Sequence, residues 1–180
     1  MILVRFAGAV LAALALTISV ANGQTWRVHR SVDTMSDRPK AMALVTSDDD
    51  HMVGIGRRGD RRVWFSLALP VKSFEQIDSR RAPIIRIDRH PANDMETARA
   101  VTARGLMNVY EWSPRIVHSV VWHGDRSEVE SEALRQLRTG STLRVRYYTA
   151  GGNIVEFTVP LEGADAAITQ AIGPPSAGKR

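Results

Sequence analysis

The chain has 180 residues, with 24 Lys or Arg against 19 Asp or Glu, a net charge of +5 and not one cysteine. Disulfides, thiol nucleophiles and cysteine-held metals are therefore excluded, and a domain of this length must be held by its core. The modest cationic excess is interspersed with acids, which suits a solvated mixed surface or attraction to an anionic surface such as lipopolysaccharide or cell-wall polymer; no nucleic-acid partner is expected.

Met1 to Arg5 carries one positive charge, Phe6 to Val20 is uncharged and apolar, and the small residues Ala21 and Gly23 stand three and one before Gln24. That layout predicts a signal peptide over 1–23, cut before Gln24. The apolar run is shorter than the roughly 20 residues of a comfortable span, and an uncleaved N-terminal anchor is the alternative reading. The expected product is a periplasmic or secreted protein with one β-rich domain over 24–173 and a flexible tail over 174–180. Its Arg-heavy composition suits a bacterial exported protein.

Strand patterns dominate after the leader. Trp26 to Ser31 alternates, and Ala41 to Thr46 is a second short run that Asp48-Asp49-Asp50 ends in a turn. Met52 to Gly56 and Val63 to Leu69 flank Gly59-Asp60 and read as a hairpin. A two-residue loop there would set Val53 and Ile55 opposite Ser66 and Trp64, so parity opposes it. Pro70 ends that strand. Ile84 to Asp88 is a further strand, Met95 to Arg104 has moderate helix propensity, and Met107 to Trp112 and Arg115 to His123 are strands divided by Ser113-Pro114.

Ser127 to Arg138 is the best helix. Ser127 and Glu130 have capping-box spacing, acids crowd the first turn, Arg135 and Arg138 the last, and Val129, Ala133, Leu134 and Leu137 make one stripe. In the hairpin that follows, Leu143, Val145 and Tyr147 share one face, as do Val155, Phe157 and Val159. A two-residue loop at Gly151-Gly152 would put these sets on opposite faces. A three-residue loop, with a glycine in the left-handed region and a G1 bulge, keeps them together and pairs Val145 with Phe157 or with Val159. Gly163 to Ile172 is a short terminal helix that Pro174-Pro175 stops. The fold class is therefore mainly β (α+β): a single antiparallel β-sandwich-like domain with a capped helix near 127–138 and a short C-terminal helix.

Few residues suggest chemistry. His118 alternates with Ile116, Val120 and Trp122, which reads as a hydrogen-bonded core or boundary histidine; His123 falls on the other strand face, so one flat strand does not let the two share a metal. His51 beside three aspartates lacks the glycine and terminal glutamate of a calcium loop and reads as a polar turn. No Gly-x-Ser-x-Gly or His-Glu-x-x-His spacing occurs. No metal, cofactor or catalytic residue is expected; were the chain a hydrolase of an envelope polymer, Asp88, His118 and Asp125 are the residues to test. The densest charge cluster is Arg57-Arg58-Gly59-Asp60-Arg61-Arg62, and Arg57, Arg58, Arg61 and Arg62 are candidates to contact a phosphate or sulfate group. Arg58-Gly59-Asp60 also spells the integrin-binding tripeptide, although turn chemistry explains Gly-Asp here.

Leu134, Leu137, Gly140, Leu143-Arg144-Val145, Gly151-Gly152 and Val159-Pro160-Leu161-Glu162-Gly163, followed by a short Ala/Ile helix, resemble the C-terminal half of invasion-associated locus B family proteins. Type VI secretion accessory proteins of the VasI/TagO kind look similar there, and share an early Trp (here Trp26) and the Arg86-Ile87-Asp88 run. The resemblance implies a small exported β-sandwich with short helices and no known catalytic residue. Its implied role is an envelope or secreted interaction protein linked to secretion or host contact, with an envelope or secretion-system protein as partner. The chain lacks the cysteines those families carry, so no disulfide follows from the resemblance.

Overall fold

The computed structural model describes residues 24–58, 61–94, 110–124 and 130–175. The leader, the Met95–Arg104 helix, residues 107–109, Ser127 and residues 176–180 lie outside them.

Among the described residues, two antiparallel sheets and two helices form the mainly β architecture expected from the alternating runs. The first sheet joins β1 (Arg27–Asp33), β2 (Arg38–Thr46), β3 (Met52–Arg57), β4 (Val63–Ala68), β7 (Tyr110–Trp112) and β8 (Ile116–Trp122), in the order β1-β2-β3-β4-β8-β7. The second joins β5 (Ile84–Ile87), β6 (Asn93–Asp94), β9 (Thr142–Tyr148) and β10 (Ile154–Pro160), in the order β10-β9-β5-β6. Helix α1 spans Glu132–Thr139 and α2 spans Ala164–Ile172, which packs on β1, β2 and β3.

The core forms where the inward faces of both sheets meet the helices. Val45, Val53, Ile55, Phe65, Leu67 and Val117 come from the first sheet. Ile85, Leu143, Val145, Tyr147 and Val159 come from the second, with Leu134, Leu137 and Ile168 from the helices. Nonlocal burial of this kind takes the place of disulfides. Trp26 ties the layers at one end, its Nε1 donating to the Pro160 carbonyl at 2.8 Å.

The hairpin parity arguments hold. Val145 faces Phe157 and Leu143 faces Val159. Thr149 N donates to Asn153 O at 2.9 Å and Gly152 N to Thr149 O at 2.9 Å, which closes a three-residue loop with Gly152 at φ +86°. This is the expected turn and G1 bulge, where a left-handed residue lets the strands twist together. Likewise Val53 faces Leu67 and Ile55 faces Phe65.

Two local expectations shift. The capped helix starts at Glu132, with Ser131 as its N-cap: Ser131 Oγ accepts from Leu134 N at 3.2 Å and donates to the Val121 carbonyl. Glu130 instead reaches Arg138, N–O 3.0 Å, because a cation 3% exposed requires a buried counter-charge. The second shift is in β8. Val63 pairs with Trp122 but Trp64 with Val120, so a bulge at Val121 resets the alternation. Trp122 joins the core with Val117 and Val121, and does not share the face of His118 and Val120.

Candidate functional site

The arginine cluster leaves β3 at Arg57 and re-enters β4 at Val63. Register decides which way each guanidinium goes. Arg57, Val63 and Trp122 lie in one cross-strand row on the core side of the sheet. Arg57 stands 5.7 Å from the centre of the Trp122 ring, donates to the Arg61 carbonyl, and reaches the Ile172 carbonyl at 3.5 Å. That carbonyl belongs to the last turn of α2, where a cation is favoured by the helix dipole. Arg57 is thus a brace between the turn and a helix end.

Arg58 and Arg62 turn to the opposite face. Their guanidinium groups lie 5.4 and 5.2 Å from the ring of Trp64, which is 2% exposed. Each contact is worth about 0.5–1 kcal/mol at a surface. Both guanidinium groups are thus gathered on one indole at this turn. Arg61 is exposed, and its backbone is held from both sides. Besides the bond from Arg57, its carbonyl fills the space that a Cβ on Gly124 would need. Gly124 has φ +76°, so it is fitted to this close approach in two independent ways.

The four cations proposed from sequence therefore share one turn but divide into three situations: Arg57 as a brace, Arg58 and Arg62 as a stack, Arg61 toward solvent. The two tryptophans that seat them were missed as partners. A signal for one existed: Arg62 and Trp64 are two residues apart on a strand pattern and share a face.

Two of the three residues considered for hydrolysis, Asp88 and His118, lie among the described residues. Asp88 ends β5 with φ +47°, and its carboxylate accepts from Ser141 N at 3.0 and 3.1 Å and from Thr142 N at 2.8 Å. It fastens the end of β5 to the start of β9. His118 lies in the first sheet, its Nδ1 2.7 Å from Ser66 Oγ, as expected of a hydrogen-bonded boundary histidine. Asp125 lies outside the described residues. His51 closes the Ser47–His51 turn, its N–H donating to Ser47 Oγ at 3.1 Å, and its ring enters the core. Among the described residues no three His, Asp or Glu are grouped to hold a metal.

No family model, no curated protein and no solved structure matches this chain.

Proposed function

We propose that the chain is an exported, non-catalytic interaction protein of the bacterial envelope or secreted space, and that the β3–β4 turn is its contact with an anionic polymer or an acidic partner protein. The stack of Arg58 and Arg62 on Trp64 carries this reading. It holds two cations close together at the surface end of a hairpin, with exposed Arg61 between them in sequence. Like charges held together by a rigid aromatic seat raise the local concentration of anions and orient them.

The leader pattern over 1–23 supports export, and the secretion or host-contact role implied by the family resemblance is consistent with a partner-binding surface. The engagement of the Asp88 carboxylate with backbone amides supports a structural role for that residue.

Export is tested by expressing the full chain in a bacterium with an outer membrane and sequencing the N-terminus of what accumulates. A product outside the cytoplasm beginning at Gln24 is expected. Intact chain beginning at Met1 in the cytosol would remove the premise. Contact through the turn is tested separately by binding to lipopolysaccharide vesicles across a salt series.

A further inference from the structure

We propose that the outward face of the four-stranded sheet is a second, independent binding site, an oxyanion cleft in which Arg86, Arg144 and Arg146 take a phosphate or sulfate group carried by a larger molecule.

The site follows from alternation and register. On β9, Leu143, Val145 and Tyr147 enter the core, so Arg144 and Arg146 point outward; on β5, Ile85 and Ile87 enter the core, so Arg86 points outward. Arg86 pairs directly with Arg144, and Ile84 with Arg146. Like charges directly opposite on adjacent strands destabilise a sheet, so this pairing works against the fold that carries it.

The described side chains supply too little negative charge to explain the arrangement as an ion-pair network. Glu156 faces Arg146 across the hairpin, and its Oε2 accepts from Arg146 Nε at 3.1 Å and Nη2 at 3.0 Å. Its Oε1 is 3.9 Å from Arg144 Nε, beyond hydrogen-bond reach. Arg86 gives its Nε to the His90 carbonyl at 3.1 Å, a neutral acceptor. Among the described side chains, three guanidinium groups thus share one carboxylate. With Ile84, Ala92 and Glu156 they line one cleft. Arg144 is 55% exposed and Arg146 45%, so a group on a glycan, lipid or polymer can reach them. Planar guanidinium forks bind tetrahedral oxyanions through paired N–H bonds, which suits phosphate and sulfate alike. This cleft lies on the other sheet from the β3–β4 turn and shares no residue with it.

The test uses the full chain, inorganic phosphate and sulfate as probes, and NMR of the arginine Nε–H groups. Saturable shifts at Arg86 and Arg144 are expected. Arg144→Gln should weaken binding about ten- to a hundredfold. Glu156→Gln should tighten it, because the competing carboxylate is gone. Arg86→Gln should weaken binding yet raise the thermal midpoint without ligand, because it removes the cross-strand repulsion. Phosphorylated and sulfated sugars then tell which carrier is preferred. Shifts that never saturate, or an unchanged affinity in a folded Arg144→Gln variant, would overturn the proposal.

Discussion

His51 Nε2 and Tyr147 Oη lie 2.9 Å apart inside the core, with the imidazole stacked on Phe157 at 4.4 Å between centroids and 10° between planes. Burial, the largest influence, pushes the His51 pKa below its ordinary value of 6.5, against the raising effect of Asp49, Glu75 and Asp50. Burial likewise pushes Tyr147 up to about 12. Both shifts favour the neutral pair.

The pH dependence has a definite sign. Below pH 6.5 the unfolded chain takes up a proton at His51 before the folded chain does, so stability falls with acid and levels off below the folded-state pKa. Above pH 10 the unfolded chain loses the Tyr147 proton first, so stability also falls toward about pH 12. Urea unfolding midpoints across this range should show both slopes, and His51→Phe should flatten the acid slope below pH 6.5. An unchanged slope in that variant would separate His51 from acid sensitivity.

Arg138 should be the most costly charge to remove. Its guanidinium binds Glu130 at 3.0 Å, Asp165 and Thr169 at 2.8 Å each, and the Gly173 carbonyl at 2.9 Å. It therefore joins both helices and the end of α2. Arg138→Met leaves Glu130, 6% exposed, without its cation, and should cost about 3–5 kcal/mol. Adding Glu130→Leu should recover part of that loss in chemical denaturation; a purely additive pair would refute the coupling.

Trp26→Phe should cost about 1–3 kcal/mol, because the ring volume is largely kept while the Pro160 carbonyl loses its 2.8 Å donor. Equilibrium unfolding measures this directly. A change within error would mean that water replaces the indole without penalty.

Gly124→Ala should disturb the arginine turn from a distance. The new methyl would meet the Arg61 carbonyl and the Arg57 guanidinium, at a position whose backbone already disfavours a side chain. Backbone strain of about 1–3 kcal/mol is expected before any clash is relieved. Fluorescence should report altered surroundings of Trp64 and Trp122. An unperturbed spectrum with full stability would contradict the close packing of Gly124 on the turn.

Much of the architecture was legible because parity is a strict constraint. Leu143, Val145 and Tyr147 must face the same way as Val155, Phe157 and Val159, which leaves Val145 opposite Phe157 or Val159; the structure takes the first, and Gly152 fits the turn it needs. The start of α1 was not legible in the same way. Ser127 and Ser131 are both good caps, and what selects Ser131 is tertiary: its own bond to the Val121 carbonyl, and the demand of buried Arg138 for Glu130. The bulge at Val121 was hidden for a related reason. Alternation alone put Trp122 with His118, whereas the partner strand sets the register that turns it inward. At the candidate site the sequence named the four arginines but not their seats, since stacking on Trp64 and Trp122 needs the strands to be paired first. The cleft of Arg86, Arg144 and Arg146 likewise joins residues almost sixty positions apart, although the outward alternation of Arg144 and Arg146 was visible.

Arg57 braces α2 and is best left intact, so the decisive variant is Arg58→Gln, Arg61→Gln, Arg62→Gln in the full chain. Its binding to lipopolysaccharide vesicles should be measured by sedimentation from low to moderate salt beside the unaltered protein. The account predicts that the unaltered protein binds with an affinity that falls steeply as salt rises, and that the variant binds more weakly with a shallower dependence. Equal affinity and equal salt dependence in the two proteins would contradict a role for the turn as the anionic contact.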